Sequence, residues 1–587
     1  MQLEHLGLIG NCQFSALIER SGAVVWCCLP QFDSEPVFGS LLDPDGGHFL
    51  VGTPDGRAGQ QEYLPNTNVL ETVFDTPTGR FRVVDFAPRF EQHGRTFRPT
   101  QLFRLIEPLE GSPRIVVHCD PVRGWLKAKP PVTLGSHHFQ YGGFGSPLRL
   151  TTDIPLSYLD GRPFSLTARH CLALTWGEPI EQPLSPLLDH FLNETVRYWQ
   201  AWVKYTDIPP EYQRDVIRSA LALKLQCFED TGAIIAAPTT SIPESPRSGR
   251  TWDYRYCWLR DAYYVIDAFR LLGHFDEREQ FINYTLNIAG ASPDLSLAPL
   301  YSVTGSRELP EVVAANWAGY NGDGPVRVGN DASSHVQHDI FGELLLVLSP
   351  IFLDERFSAE RTPATLDLLM RLARKAISVA GTPDRGIWEY RTDPKPQTFS
   401  SLMCWVAADR AARIAERFAP RFATEFRTAA DKIRDQIATR AWSDARQAFV
   451  GAYDGDNLDA ALLQMPLLRV FPFNDPRMHS TIDAIWKGLS HDGWLMRYSE
   501  DDGFGRPSVA FILCTFWLIE SLALAGRTAD ARSLMDAAHS MVSPLGLLSE
   551  DYDTATRLMS GNFPQAYSHV GLIRGAFSAA PRWLEVL

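Results

Sequence analysis

One carboxylate stands between two large aromatic side chains in the stretch from Gly386 to Arg391, which reads Gly-Ile-Trp-Glu-Tyr-Arg. An aromatic neighbour excludes water from a carboxyl group, which favours the protonated form, and offers a flat face for a sugar ring. We therefore interpret Glu389 as the proton donor of a sugar-cleaving enzyme, with Trp388 as a wall of its site. The stretch alone is also compatible with a core tryptophan beside a solvated loop charge.

A second stretch, from Thr251 to Asp261, places two arginines and two aspartates among four aromatic residues, just before a predicted helix. A guanidinium and a carboxylate that hold each other in place offer fixed donors and acceptors to neighbouring sugar hydroxyls. Arg260 and Asp261 could form such a pair. The alternative is that Asp261 is an ordinary helix N-cap paired with Arg260.

A third stretch runs from Trp317 to Asn330 and is rich in glycine, which allows a backbone to approach a ligand closely. It lacks the strand-then-helix context and the glycine spacing of a nucleotide-binding loop. Arg327, near its end, either contacts a ligand or holds the loop in place.

A second candidate carboxylate, Glu550, lies between Gly546 and Asp553, shortly before the stretch Gly561 to His569. Glycoside hydrolysis needs one protonated carboxyl to release the leaving group and one ionised carboxyl to activate water or attack the sugar. Glu389 and Glu550 could supply both. Composition does not rank them above the rival carboxylates Glu500, Asp501, Asp502 and Glu343.

The elements that must position these residues fall into two parts. Up to about residue 180, apolar residues alternate with period two between frequent Gly and Pro, which predicts strands and favours a β-sandwich. Such a domain alone could simply bind sugar. The predicted strands are Val69 to Phe74, Phe81 to Phe86, Leu102 to Glu107, Arg114 to Cys119 and Phe164 to Trp176.

After a predicted linker helix near Leu187 to Tyr205, the apolar period becomes 3.6. Nearly all-apolar helices tend to alternate with amphipathic ones, which indicates inner and outer helices and, with two rings of six, an α/α toroid. Long loops at one end of such a toroid would form a cleft. About eleven helices are predicted: Glu211 to Glu229, Asp261 to Gly273, Asp276 to Ala289, Ser334 to Phe352, Ala364 to Val379, Phe399 to Phe418, Ala423 to Arg440, Arg477 to Leu489, Val509 to Ala525, Ala529 to Val542 and Pro564 to Ala579.

Composition narrows the possible partners. The chain has 587 residues and a formal charge of -14, with Lys and Arg scattered, which argues against a nucleic-acid or anionic-membrane surface and favours a neutral small molecule. Nine cysteines without a C-x-x-C pair indicate reduced thiols, and the N-terminus shows no signal peptide, so we expect a cytoplasmic protein. No motif demands a metal or cofactor.

Together these stretches resemble glycoside hydrolase family 15, the family of glucoamylases, glucodextranases and bacterial trehalases, in its prokaryotic two-domain form. The resemblance covers almost the whole chain. The motifs that carry it are Gly7 to Cys12, Cys28 to Ser34, Tyr256 to Asp261, Gly324 to Asn330, Gly386 to Glu389 and Gly561 to His569.

The resemblance implies an α+β multidomain fold, with an N-terminal antiparallel β-sandwich over residues 1–185, a linker helix over 186–210 and an (α/α)6 barrel over 211–587. It implies an inverting enzyme that releases β-glucose from the non-reducing end of an α-glucoside. Glu389 matches the general acid and Glu550 the general base. Arg260 and Asp261 match the pair that grips the innermost glucose, and Trp258, Trp317 and Trp388 resemble walls of the pocket.

The chain departs from the family pattern at Val25, Cys27 and Gln31, and the segment Asp553 to Arg557 lacks the usual Pro and Gly after the base. This last difference could reshape the subsite for the leaving sugar. We expect a glucoamylase-like enzyme acting on short α-gluco-oligosaccharides, with α,α-trehalase as the alternative. More distant alternatives are an inverting disaccharide phosphorylase and an inactive sugar-binding protein.

Overall fold

The computed structural model of the protein describes residues 1–587. Its first part is built from antiparallel strands in two large sheets and a small hairpin. The strands are β1 (Leu6–Gly10), β2 (Ser15–Glu19), β3 (Ala23–Cys28), β4 (Pro36–Phe38), β5 (His48–Gly52), β6 (Gln60–Tyr63), β7 (Leu70–Thr76), β8 (Gly79–Phe86), β9 (Phe90–Gln92), β10 (Arg95–Phe97), β11 (Gln101–Gly111), β12 (Arg114–Asp120), β13 (Val132–Leu134), β14 (His138–Tyr141), β15 (Leu148–Thr152), β16 (Phe164–Ser165) and β17 (His170–Trp176).

The two large sheets bury one apolar core between them, which confirms the predicted N-terminal β-sandwich. One sheet has the order β1-β2-β3-β5-β12-β16, with β4 on β3, and the other the order β13-β14-β15-β17-β11-β8-β7-β6. Phe38 and Phe49 of the first sheet and Phe74 and Phe81 of the second lie in this core, each fully buried. Aromatic and β-branched residues on facing sheets exclude water from both inner surfaces.

The single long strand predicted from Phe164 to Trp176 is wrong. The run is divided into β16, which pairs with β12 in one sheet, and β17, which lies between β11 and β15 in the other. Both faces of β17 are buried: Leu172 faces the sandwich core, and Ala173 packs toward the linker helix beside Phe191. The chain leaves the first sheet after Ser165 and joins the second at His170, and an alternating pattern does not reveal a change of sheet within the run.

The second part of the chain is helical. The helices are α1 (Leu184–Lys204), α2 (Gln213–Lys224), α3 (Leu259–Leu271), α4 (Asp276–Gly290), α5 (Ile340–Leu348), α6 (Pro350–Leu353), α7 (Pro363–Val379), α8 (Thr398–Phe418), α9 (Pro420–Arg440), α10 (Gln464–Leu468), α11 (Pro476–Leu489), α12 (Ile512–Leu524), α13 (Thr528–Ala538), α14 (Ala566–Ala579) and α15 (Trp583–Val586). The linker helix α1 covers the outer face of the eight-stranded sheet. The domain bounds at residues 185 and 210 stay a prediction.

Six inner segments close into a ring. Helix α3 packs on α5, α5 on α8, and α8 on the 3-10 turn Ala460–Leu463, which continues into α10. That turn packs on α12, α12 on α14, and α14 on α3. The outer helices α2, α4, α7, α9, α11 and α13 each pack on this inner ring. The (α/α)6 barrel is therefore confirmed.

The predicted contrast between inner and outer helices is also confirmed. Helix α12 is buried from Ile512 to Leu522, whereas α13 buries Ala531, Met535 and Ala538 on one face. A helix buried all round has no hydrophilic face, so α12 must lie inside the barrel. No helix combines the length and apolar character needed to span a membrane.

Helix α5 begins later than the predicted start at Ser334. Residues 331–334 form a 3-10 turn, and the chain is extended at His335 before the helix starts at Ile340. The extended segment brings Gln337 and Asp339 to hydrogen bonds with Arg260. These contacts with another inner helix outweigh the local helical pattern.

Short two- and three-residue strands tie the loops at the barrel end together. They are β18 (Cys227–Phe228), β19 (Ala233–Ile234), β20 (Cys257–Trp258), β21 (Leu300–Tyr301), β22 (Val312–Val313), β23 (Arg327–Val328), β24 (Trp442–Ser443), β25 (Ala448–Phe449), β26 (Ser490–His491), β27 (Trp494–Leu495), β28 (Ala510–Phe511), β29 (Asp551–Asp553) and β30 (Leu558–Ser560).

Candidate active site

A pocket lies where the N-terminal ends of the inner helices meet. Trp258 directly precedes α3, Phe511 precedes α12, and Gln565 precedes α14. The pocket has an empty volume of about 450 Å³, including its open mouth. Its walls are Ala236, Tyr254, Trp258, Arg260, Asp261, Ile387, Trp388, Glu389, Arg497, Phe511, Gln565 and Tyr567.

Glu389 projects into this pocket with one oxygen fixed and the other free. Its Oε1 accepts hydrogen bonds from Trp258 Nε1 at 2.8 Å, from Gln337 Nε2 at 3.2 Å and from Arg260 Nη2 at 3.4 Å. No protein donor contacts Oε2. The backbone of Glu389 has φ +59°, a left-handed conformation that is uncommon for a residue with a Cβ and that is often found at functional sites. The side chain is therefore held in one orientation, and its Oε2 is free to contact a ligand.

Arg260 and Asp261 both line the pocket, but the structure does not pair them with each other. Arg260 binds Gln337 Oε1 at 2.8 Å, Asp339 Oδ2 at 3.0 Å and Tyr567 Oη at 3.1 Å. The N-cap interpretation of Asp261 is wrong, because the N-cap of α3 is Trp258 and Asp261 lies in the first turn. Arg260 is thus held by a carboxylate on a neighbouring inner element.

Asp261 is nearly fully buried, and burial raises the pKa of its carboxyl to about 7. The Arg260 cation opposes this rise, and the negative charge of Glu389 adds to it. Near neutral pH the Asp261 carboxyl can therefore donate as well as accept hydrogen bonds, which suits sugar hydroxyls of either orientation.

Glu550 lies behind the wall of the pocket and is 1% exposed. Its Oε1 accepts a hydrogen bond from Tyr254 Oη at 2.5 Å, and its Oε2 accepts one from the Asn562 N–H at 3.3 Å. Its backbone bonds to Asn562 on one side and Ile512 on the other. These contacts hold Glu550 beside the sheet β28-β29-β30, whereas the Glu389 side chain is 23% exposed.

Burial is also the main influence on the charge of Glu550. It raises the pKa of this carboxyl, and the neighbouring charge of Glu244 adds to the rise. The Arg497 guanidinium and the hydrogen bond from Tyr254 oppose it. A base in this position needs groups around it that keep its ionised form available.

Two aromatic side chains connect the carboxylates. Tyr254 donates to Glu550, Trp258 donates to Glu389, and the two rings pack edge to face with centroids 5.4 Å apart. Both rings line the pocket. The two carboxylates therefore belong to one site, joined through neighbouring residues of the aromatic loop.

The three remaining predicted site residues have different positions. Trp388 lines the pocket, and its Nε1 donates to Asp459 Oδ1 at 2.9 Å. Trp317 does not line it: its Nε1 donates to the Trp125 carbonyl at 2.7 Å, and its ring packs on Trp125 of the sandwich domain. Its assignment to the pocket wall is therefore corrected, because the indole is used to join the two domains.

Arg327 holds its loop rather than lining the pocket. Its Nη1 binds Glu311 Oε1 at 2.6 Å, and its guanidinium lies 5.2 Å from the centre of the Trp252 ring. Its backbone is paired with Val313 in the hairpin β22-β23. Of the two interpretations left open by the sequence, the structure favours the second.

None of the rival carboxylates lines the pocket. Glu500 pairs with Lys395 at 2.9 Å, Asp501 is exposed, and Asp502 is bound by both terminal nitrogens of Arg250 at 2.5 and 2.7 Å. Glu343 is fully buried on α5 behind the site. Of the six candidate carboxylates, Glu389 alone lines the pocket, and Glu550 is connected to it through the hydroxyl of the lining residue Tyr254.

Sequence reasoning missed several residues of the site. Tyr254 stood inside the aromatic loop that the sequence singled out, and Gln565 and Tyr567 stood inside the Gly561 to His569 motif. Gln337 and Asp339 were hidden because their segment was predicted to be helical. Arg497 and Phe511 gave no local signal, since neither stands in a distinctive motif. No group of three or more His, Cys, Asp or Glu side chains is arranged to hold a metal ion.

Comparisons with known proteins identify two families along the chain. The family model described as "Glycosyl hydrolases family 15" matches residues 210–577, and the model described as "Trehalase-like, N-terminal" matches residues 1–147. A curated trehalase of Mycolicibacterium smegmatis is 33% identical over 611 aligned positions, covering 97% of this chain and 89% of the relative. A trehalase of Thermoplasma volcanium is 32% identical, covering 100% of this chain and 94% of the relative.

Among solved structures, a bacterial glucoamylase complexed with acarbose superposes with a TM-score of 0.70. The match covers 98% of this chain and 94% of that chain at 14% sequence identity. At this identity the likeness concerns the fold, which has the same sandwich-and-barrel extent in both proteins.

Proposed function

The chain belongs to glycoside hydrolase family 15 and is a glycoside hydrolase, and on this premise we propose that it is an α,α-trehalase. The observation that carries the proposal is the similarity to curated trehalases along the whole chain, sandwich domain included. A match confined to the barrel would support only the hydrolytic chemistry that the whole family shares. The match of residues 1–147 to the model described as "Trehalase-like, N-terminal" extends the similarity to the sandwich domain.

The glucoamylase-like activity expected from the sequence is supported less well than its alternative. The resemblance could not separate the two, because the motifs around Glu389, Arg260 and Glu550 serve hydrolysis itself rather than the choice of leaving sugar. The curated relatives favour trehalase on both domains. The bacterial glucoamylase is similar in fold, but a likeness at 14% identity does not indicate which substrate this chain hydrolyses.

In the proposed reaction, Glu389 is the general acid. Its Oε1 is occupied by three donors, so Oε2 is the oxygen that can hold a proton and deliver it to the glycosidic oxygen. When the proton leaves, the nearby Arg260 guanidinium and the Trp258 N–H stabilise the carboxylate that forms. The same three contacts keep the group in one orientation throughout the cycle.

Glu550 is the general base of the proposal. It takes a proton from a water molecule as the water oxygen bonds to C1 and the bond from C1 to the glycosidic oxygen breaks. The attacked glucose leaves with inverted, β configuration, and the other glucose keeps the α configuration of its own C1. Tyr254 donates its hydroxyl to Glu550 and lines the pocket, so it connects the base to the site.

The walls of the pocket suit one glucose ring. Arg260 and Asp261 present charged hydrogen-bonding groups, and Trp258 and Trp388 present aromatic surface. Sugar rings combine apolar faces with a rim of hydroxyls, so a pocket of this composition contacts both.

A substrate panel tests the proposal. The purified protein is incubated with trehalose, maltose, isomaltose and maltotetraose, each with and without inorganic phosphate, and glucose and glucose 1-phosphate are measured. We expect trehalose to give a kcat/KM at least about tenfold above the others, a difference of about 1.4 kcal/mol in transition-state binding. Faster release from maltotetraose would restore the glucoamylase interpretation, and phosphate-dependent glucose 1-phosphate would indicate a phosphorylase.

A further inference from the structure

The residue after the candidate base, Asp551, has a buried carboxyl without any hydrogen-bond donor. The residue is 0% exposed, and neither Oδ1 nor Oδ2 has a partner. A Cβ at Gly561 would lie 2.7 Å from Oε2 of Glu550 and 2.9 Å from Oδ2 of Asp551, so both oxygens face the same point. A buried polar group without a partner is costly unless its charge is neutralised.

The positive charges around this pair are already engaged elsewhere. Arg250 binds both oxygens of Asp502, at 2.5 and 2.7 Å. Arg497 binds Glu244, which also accepts from Trp252 Nε1 at 3.0 Å. Asp502 and Glu244 thus balance the two guanidinium groups.

Glu550 and Asp551 are left without a cation of their own. Two adjacent ionised carboxylates at this depth would repel each other in a medium that screens charge poorly. The pair must therefore carry at least one proton in the resting protein.

The contacts decide which carboxyl carries it. Glu550 accepts hydrogen bonds from Tyr254 and from the Asn562 N–H, which stabilise a carboxylate, whereas Asp551 accepts none. We propose that Asp551 is a positioning residue that keeps a proton beside Glu550, so that Glu550 is the member of the pair that ionises and serves as the base. The proposal rests on the assignment of Glu550 as the general base.

The charges that face Asp551 agree with this arrangement. Burial raises the pKa of the Asp551 carboxyl well above its usual range, and the charges of Glu550 and Glu244 add to the rise. The groups near it are the preceding residue Glu550 and, from other parts of the chain, Glu244, Arg497, Arg250 and Cys514.

The protonated Asp551 has a defined use in the reaction. Its O–H can donate to Glu550, which lowers the free energy of the ionised base without adding a charge next to it. A cation in the same place would hold the base in its ionised form so strongly that it would accept a proton from water poorly.

Two substitutions separate this role from a packing role. Asp551→Asn keeps a neutral donor of the same shape, so we expect the acid limb of the kcat/KM profile on trehalose to stay where it is in the unmodified enzyme. Asp551→Ala removes the donor, so we expect the limb to move to higher pH by about one to two units, the equivalent of one charged hydrogen bond. Rescue by Asn and not by Ala is the expected pattern.

The matched control is Asp553→Ala, two residues further along the same strand. Asp553 accepts a hydrogen bond from the Ala555 N–H at 2.9 Å within its own turn. This variant should leave the acid limb unchanged. A downward shift of the limb in Asp551→Asn would overturn the proposal, because it would mean that the substitution had removed a negative charge. No shift in Asp551→Ala would overturn it too.

Infrared spectroscopy of the ligand-free protein tests the proton without relying on activity. At neutral pH, the difference spectrum between the unmodified protein and Asp551→Asn should contain the carbonyl stretch of a protonated carboxylic acid. If trehalose is not hydrolysed at all, the proposed function fails while this band still reports on Asp551. Absence of the band, or an Asp551→Asn protein that does not fold, would count against a neutral Asp551.

Discussion

The two oxygens of Glu389 have different surroundings, and this difference is the most specific chemical feature of the site. Three donors from two stretches of the chain converge on Oε1, and no protein donor contacts Oε2. These contacts restrain the position of Oε1, which helps to orient the carboxyl group for proton transfer. The assignment of acid and base rests on this asymmetry and on the hydrogen bonds to Glu550.

Replacing either carboxylate by its amide tests the assignment. Glu389→Gln and Glu550→Gln should each reduce kcat on trehalose by at least about 100-fold, because general acid or base catalysis contributes roughly that much or more. The thermal unfolding temperature should change little, since the amide keeps the size of the side chain. Glu500→Gln is the matched control, since Glu500 pairs with Lys395 away from the pocket. Turnover near normal in Glu550→Gln would move the base to another carboxylate.

At this scale the sequence singled out Glu389, Arg260 and Asp261, which all line the pocket, because each stands in a distinctive loop. The predicted pairing of Arg260 with Asp261 is not found. The sequence misplaced Trp317, since an aromatic side chain in a glycine-rich loop can equally join two domains. It could not show that Asp339 holds Arg260, because that contact joins residues 79 positions apart.

At the scale of secondary-structure elements, the N-terminal ends of the inner helices position the residues of the site. Backbone N–H groups at helix starts give a positive end to each helix, which favours the carboxylates and hydroxyls gathered there. The helices were predicted well, because their buried faces repeat over several turns. The start of α5 was not, because Gln337 and Asp339 are drawn out of the helical pattern by Arg260. Contacts between residues far apart in the sequence produce no periodic pattern from which they could be predicted.

His569 connects helix α14 to helix α2 and to the loop before β29, and it gives this junction a pH dependence. It is 0% exposed on α14; Nδ1 lies 2.9 Å from Ser219 Oγ on α2, and Nε2 accepts from the Leu548 N–H at 3.3 Å, two residues before the base. Burial lowers the pKa of His569 to about 3, and the charge of Arg218 adds to this. The folded protein therefore holds a neutral imidazole at physiological pH.

The expected consequence is a loss of stability in acid. The unfolded chain binds a proton at His569 below about pH 6.5, and the folded protein does not until about pH 3, so stability is full above 6.5 and falls as the pH decreases. At pH 5 the loss from this residue is about 2 kcal/mol. Between pH 7 and pH 5, the thermal unfolding temperature of His569→Gln should decrease less than that of the unmodified protein. The unfolding temperature of His93→Gln, at an exposed turn, should decrease as much as that of the unmodified protein. Equal slopes for all three would contradict this role.

The sandwich and the barrel pack together so that loops of both domains stabilise the end of the barrel that holds the pocket. The outer face of the first sheet is part of the barrel core, and Trp26 Nε1 donates to the Pro238 carbonyl at 2.7 Å. Trp317 joins the other side through Trp125. Pro238 and Trp317 lie in loops that flank the aromatic loop with Tyr254 and Trp258, so the domain junction fixes the loops that hold the two carboxylates.

The sequence predicted both halves of this architecture from the change of apolar period near residue 180. It could not predict the junction, since the residues that form it, such as Trp26 and Trp317, resemble ordinary core residues within their own domains. The proposal of a trehalase over a glucoamylase likewise draws on the whole chain rather than on any one motif, because its support comes from relatives that match both domains.

The most direct test of the account is the anomeric configuration of fresh product. Trehalose is hydrolysed in a proton NMR tube, and the C1 signals of glucose are followed before mutarotation. Single displacement with Glu389 as acid and Glu550 as base predicts α- and β-glucose appearing at equal initial rates, since one ring is inverted and the other retains its configuration. Initial formation of α-glucose alone would show retention at both centres and would contradict the proposed roles of both carboxylates.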